Sequence, residues 1–190
     1  KKEKLNLLLD KFVFFSSSRL SPVKQIYNLI HTFAMIRADK FTLIISGKGD
    51  KEYHKYLNKL IVNQNKDIRF VGFLEENDLL DYYKASDYFI DASKNDGGPK
   101  SAWKAMGLGV PVITTATGNA GVFLKKHHAG CFINPNNCSK WKNIFEKIIL
   151  GNLGVKTVNT KEVKDFMSWQ VCSQKFIKNY KFVLEDFHGN

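Results

Sequence analysis

A chain of 190 residues, 44% hydrophobic and 13% aromatic, can bury one sizeable core, which excludes a disordered chain and makes a single domain the first expectation. Lysine and arginine outnumber the acids 29 to 18, giving a formal net charge of +11. The partners to expect are therefore anionic, whether a phosphorylated small molecule, a nucleic acid or an acidic membrane face, although lysines also simply solvate outer helix faces.

The first apolar run, Phe12-Val-Phe-Phe15, predicts a buried strand that leads into a serine-rich turn, Ser16 to Lys24. In that turn Arg19 offers a planar fork for phosphate oxygens and Lys24 a compact charge. A helical pattern follows from Val23 to Ala38, then a strand from Phe41 to Ile45 and a helix from Lys51 to Gln64. The alternation continues with a strand from Ile68 to Val71, a helix from Glu76 to Ala85 and a strand from Tyr88 to Ile90. Helices from Pro99 to Leu108, Gly118 to His127 and Ser139 to Leu150 alternate with strands from Val110 to Ile113 and Gly130 to Ile133. Strands alternating with helices across short loops predict an α/β fold with a doubly wound parallel sheet of about six strands and helices on both faces. Such sheets bind ligands outside the carboxyl ends of their strands, near a switch in strand order. Residues 151–167 read as a connector with no buried element, and residues 168–186 as a terminal helix. The apolar positions of that helix, Trp169, Val171, Phe176, Ile177, Tyr180, Val183 and Leu184, have the spacing of a face that packs onto a surface.

The run Asp96-Gly-Gly-Pro-Lys-Ser101, between a strand and a helix, has the chemistry of an anion-binding corner. Gly97 and Gly98 let the backbone approach a ligand, Pro99 suits the first helical position, and first-turn N–H groups point outward. Lys100 and Ser101 stand where their amides and side chains can meet a phosphate. Their other reading is a surface lysine and a capping serine.

Cys131, Cys138 and Cys172 lie far apart without a Cys-x-x-Cys pair, which argues against a disulfide framework and a zinc site and fits a reducing cytoplasm. His31, His54, His127, His128 and His188 show no metal spacing, so no metal is expected, and His127-His128 reads as an exposed loop. Neither a bilayer-spanning run nor a clean signal-peptide core is evident, so the expectation is a soluble protein with at most peripheral contact at an anionic membrane. The aromatic residues alternate with apolar strand residues rather than forming a stacking platform, which disfavours nucleic acid.

These motifs occur in the order of a known family. Ser18-Arg-Leu-Ser-Pro-Val-Lys-Gln25, Leu43-Ile-Ile-Ser-Gly-Lys-Gly-Asp50, Ile68-Arg-Phe-Val-Gly-Phe73 and Glu76 to Ser93 together resemble the C-terminal, donor-binding half of retaining glycosyltransferases of the GT-B fold, family 4 or group 1. The resemblance runs from about Phe12 to Tyr180 and implies a Rossmann-like, nucleotide-sugar-binding domain. It implies that Arg19 and Lys24 hold the donor diphosphate together with the Gly97 to Ser101 corner. The backbone at Phe73 and Leu74, with Leu79 as an apolar wall, would receive the nucleotide base. In the family two glutamates flank the corner. Here the first is Asp96, placed near the transferred sugar, and the second, which accepts from the ribose, is Lys104, a donor only. An altered nucleotide, a ribose held by other groups, or a lost activity follow as three open outcomes. The family's reaction needs no cofactor besides the nucleotide sugar, and its acceptor, a glycan or lipid-linked sugar, is recognised by an N-terminal half that this sequence does not contain. A fragment, a truncated product or a half that needs a partner are the corresponding expectations. The alternative class is a non-catalytic nucleotide- or anion-binding partner module of the same fold.

Overall fold

In the computed structural model, residues 2–188 are described, with the side chains of residues 175 and 185–188 left aside. Six strands form one parallel sheet: β1 (Phe12–Ser17), β2 (Phe41–Ser46), β3 (Ile68–Gly72), β4 (Tyr88–Asp91), β5 (Val112–Thr114) and β6 (Cys131–Phe132). Their spatial order is β3-β2-β1-β4-β5-β6. Helices α1 (Ile26–Ala34), α2 (Lys51–Val62), α3 (Glu76–Ala85), α4 (Lys100–Gly107), α5 (Gly118–Lys126) and α6 (Trp141–Ile149) alternate with the strands or follow them. The chain ends in α7 (Thr160–Met167) and α8 (Trp169–His188). The arrangement is the doubly wound, Rossmann-like α/β fold expected from the pattern.

The alternating pleat explains the two-sided core. Along β1, Phe14 points into a cluster with Leu29, Phe33, Trp141 and Phe145, whereas Val13 and Phe15 point into another with Tyr83, Phe89, Trp103 and Phe123. Because both faces are covered, the strands are continuous apolar runs rather than half-polar ones. Edge contacts between rings add geometry to the burial: Phe14 meets Phe33 at 5.1 Å and Phe145 at 5.8 Å, both edge-on.

Three expectations are corrected. The first helix does not begin at Val23: residues Pro22–Lys24 form a separate 3-10 turn, and Gln25 has φ of +52°, a left-handed conformation that breaks the helix before Ile26. The supposed connector contains α7, in which Val163 is buried, and Phe166 stacks on Trp103 at 5.3 Å and lies 4.9 Å from Phe123. In α8 most of the apolar face does not pack: Val171 is half-buried, but Trp169 is 87% exposed, and Phe176, Ile177, Tyr180, Val183 and Leu184 are also exposed. No helix among the described residues is long and apolar enough to cross a membrane.

Candidate functional site

The chain leaves β1 toward β2 on one side and leaves β4 toward β5 on the other, so the strand order reverses between β1 and β4. A crevice opens at such a point, outside the carboxyl ends of the two strands. The turns that follow β1, β2 and β3 are laced together above the sheet. The Ser18 N–H donates to the Ser46 carbonyl at 3.1 Å, the Leu20 N–H to the Lys48 carbonyl at 2.9 Å, and the Gly47 N–H to the Gly72 carbonyl at 2.8 Å. Glycine is obligatory at position 47, where a Cβ would stand 1.8 Å from the Ser18 carbonyl oxygen.

These turns frame a groove of about 520 Å³ lined by the polar residues Ser17, Arg19 and Lys48 and the apolar residues Phe73, Leu74 and Leu79. The Lys48 ammonium lies 4.5 Å from the Phe73 ring centroid, and that ring is 56% exposed. The groove therefore combines what a flat aromatic group joined to an anion needs, apolar walls and two cations, one of them against the aromatic ring.

On the β4 side the backbone turns at the glycine corner. Pro99 occupies the N-cap of α4, and the helix starts at Lys100, one residue later than the sequence pattern placed it. The Lys24 ammonium donates to Asp96 Oδ2, and the Gly98 N–H donates to Asp96 Oδ1 at 3.0 Å. Side chains of both partners are mostly buried, 16% and 19% exposed. Burial pushes the Asp96 carboxyl up, but the hydrogen bonds from Lys24 and Gly98 and the lysine charge outweigh it and hold the group below the ordinary carboxylate range. The Lys94 N–H donates to the Val23 carbonyl at 2.8 Å, fastening the turn after β1 to the turn after β4. Behind the corner, the Asn119 N–H donates to the Gly97 carbonyl at 3.3 Å, and the Trp103 indole N–H fixes Asn119 Oδ1 at 2.9 Å.

Lys104 does not project as a free cation. Its ammonium reaches both carboxylate oxygens of Glu76 on the first turn of α3, at 2.7 and 2.8 Å. Nearby, the Tyr83 hydroxyl donates to the Ser101 carbonyl at 3.1 Å, and burial, then the charges of Glu76 and Asp91, push that phenol up. Asp91 itself is buried at the end of β4, with Oδ1 accepting from the Ser93 N–H and hydroxyl and Oδ2 left without a hydrogen-bond partner.

The structure thus brings Arg19 together with Phe73, Leu74 and Leu79 in the groove, and Lys24 together with Asp96 and Gly98 at the corner. Lys100 is exposed beside them, and Gly97 has open space where a Cβ would stand. Lys48 is a groove residue that the motif reading passed over, although its position between Gly47 and Gly49 after a strand was a usable signal. Glu76, 28 positions before Lys104, had no such signal. His127 is not a bare loop residue: it caps α5, lies 4.3 Å from the Phe123 ring and contacts Glu162 at 2.9 Å.

The family model for glycosyl transferases group 1 matches residues 1–161. The Bacillus subtilis protein YtcC, named as a glycosyltransferase, is 30% identical over 137 residues, which cover 67% of this chain and 34% of that protein. Two solved structures share the fold. Sucrose-phosphate synthase from Thermosynechococcus elongatus superposes with a TM-score of 0.80 at 22% identity, over 97% of this chain and 48% of that one. Anabaena Alr3699/HepE in complex with UDP gives a TM-score of 0.80 at 21% identity, over 95% of this chain and 51% of that one. The chain spans about a third of YtcC and about half of the two solved structures. With a doubly wound sheet whose strand order reverses between β1 and β4 and a family match over most of its length, the chain belongs to the group 1 glycosyl transferases.

Proposed function

We propose that this chain is the donor-binding half of a retaining, metal-independent glycosyltransferase of family 4 that moves a sugar from a nucleotide diphosphate sugar to a glycan or lipid-linked acceptor. The observation that carries the reading is the meeting of the basic turn after β1 with the glycine corner after β4, through the Lys24–Asp96 ion pair and the bond from the Lys94 N–H to the Val23 carbonyl, with Arg19 of the same turn lining the groove. The base would lie against Phe73, Leu74 and Leu79, the diphosphate between Arg19, Lys24 and the amides of Gly97 to Ser101, and the sugar near Asp96. The relative solved with UDP supports a uridine nucleotide as the first probe. A second Rossmann-like half would supply the acceptor site.

The chemistry asked of this half is electrostatic. As the bond to the sugar breaks, negative charge grows on the departing diphosphate, and fixed cations with a helix N-terminus stabilise that charge more than they stabilise the bound donor. The ion pair of Lys104 favours a ribose held by other groups among the three outcomes for that position. Glu76 places a carboxylate, the acceptor that Lys104 cannot supply, against the ammonium on the neighbouring helix. Calorimetry with UDP and other nucleoside diphosphates tests the reading. Saturable binding is expected, weakened about tenfold to a hundredfold in Arg19→Ala and in Lys24→Ala, as befits the loss of a charge-assisted hydrogen bond. Absence of binding to every nucleotide tried would sink it.

A further inference from the structure

The glycine corner already holds an anion, and that anion belongs to the protein. Two donors from different turns, the Lys24 ammonium after β1 and the Gly98 N–H after β4, converge on the two oxygens of one carboxylate, Asp96. These groups are of the kind that a phosphate requires, a compact cation and a backbone amide at the mouth of a helix. We infer that Asp96 is a resident anion of the diphosphate cradle, that it competes with the ligand for Lys24 and Gly98, and that it limits how tightly a nucleoside diphosphate is held.

The inference rests on the nucleotide-sugar reading and gives Asp96 a role distinct from orienting the sugar. Its physical basis is that a carboxylate and a phosphate cannot share one ammonium and one amide without like charges meeting in a partly buried site. The incoming diphosphate carries more charge and more acceptor oxygens than a carboxylate, and Arg19 stands exposed on the same turn as Lys24 to add a further fork. Exchange of one anion for the other therefore favours the ligand, but only by the difference between the two. Once displaced, Asp96 is a free carboxylate at the edge of the crevice, where exposed Lys94 and Lys100 flank it in the chain. A monophosphate has less charge with which to displace Asp96 and gains less from Arg19, so the resident carboxylate also widens the preference for a diphosphate.

The test is a calorimetric cycle with UDP as the probe on the whole 190-residue chain and on Asp96→Asn, Lys24→Ala and the double variant. Asparagine keeps the size of the side chain and an oxygen for the Gly98 N–H but removes the charge. Asp96→Asn is expected to bind UDP about tenfold more tightly than the unaltered chain, a shift within the range of one charge-assisted hydrogen bond. In the Lys24→Ala background the same substitution is expected to gain little, because the contested cation is gone. With UMP the gain is expected to be larger than with UDP. If the unaltered chain binds UDP and Asp96→Asn binds it equally or more weakly, the resident-anion role is overturned while the nucleotide-sugar reading stands. If neither protein binds UDP or any other nucleoside diphosphate, both fall. Thermal melting of Asp96→Asn, with Asp96→Ser as a second neutral variant, separates a loss of folding from a loss of binding, and weaker UDP binding by both folded variants also overturns the role.

Discussion

Gly118 shows how little freedom the corner has at the level of single atoms. It opens α5 with φ of +65°, and a Cβ there would lie 2.4 Å from the Asp96 carbonyl oxygen and 2.7 Å from the Gly97 carbonyl. Gly97 and Gly98, by contrast, have room for a Cβ, with open space at the first and the Asn119 side chain at 3.5 Å from the second. The glycine that sets the corner's shape is therefore the one behind it. Gly118→Ala is expected to destabilise the fold by about 2–3 kcal/mol, from a strained backbone and a displaced turn. It should also weaken UDP binding. A urea titration that finds an unchanged midpoint, alongside unchanged affinity, contradicts this account.

Among the elements, α7 is the one whose sequence hides its packing. It is rich in Lys, Thr, Glu and Asp, and a pattern reader sees a polar connector. One stripe nevertheless faces inward: Val163 is buried near Gly107 of α4, and Phe166 stacks on Trp103 of the same helix. Since Trp103 in turn orients Asn119 beneath the glycine corner, α7 supports the corner through α4. Val163→Ala is expected to cost about 2 kcal/mol in a urea unfolding experiment, the burial of two methyl groups and a small cavity. No change in the midpoint is the result that a mere connector predicts. The neighbouring α8 differs in kind, because its apolar face is exposed along most of its length, an arrangement of the sort found at interaction surfaces.

For the molecule as a whole, the charge distribution decides the response to acid. Asp67 accepts from Thr42 Oγ1 at 2.8 Å and from Arg69 Nε at 2.7 Å, with Lys11 at 3.4 Å. Burial raises its pKa, but the bonds from Arg69 and Thr42 and the two positive charges bring it below the ordinary range. Asp96 is lowered in the same way. A carboxyl whose folded pKa lies below its unfolded value stabilises the fold above the unfolded value, and that stability is lost as pH falls through the folded one. Stability is therefore expected to hold from pH 7 to about pH 5 and to fall steeply below about pH 4. Thermal melts across that range should show a smaller drop for Asp67→Asn than for the unaltered chain. A flat profile for the unaltered chain, or an identical drop in the variant, contradicts the assignment.

The order of strands and helices was legible because buried parallel strands are short apolar runs, and Phe12 to Phe15 or Phe41 to Ile45 cannot be mistaken for a half-exposed face. The family, too, was legible, from motifs whose meaning lies in local spacing. Boundaries were less so. Gln25 breaks a helix by adopting a backbone conformation that its side chain does not advertise, its buried amide donating to the Pro135 carbonyl at 3.2 Å. The resemblance brought the turn of Arg19 and Lys24 to the glycine corner, but the particular ion pairs between distant positions were not legible. Lys24 meets Asp96 across 72 positions and Lys104 meets Glu76 across 28, because the sheet order, not the sequence order, sets which turns are neighbours. The sequence by itself determined the fold class and the residue types at the crevice, since those depend on local pattern. Only the tertiary structure decided which charges face each other there, because that depends on the reversal of strand order between β1 and β4.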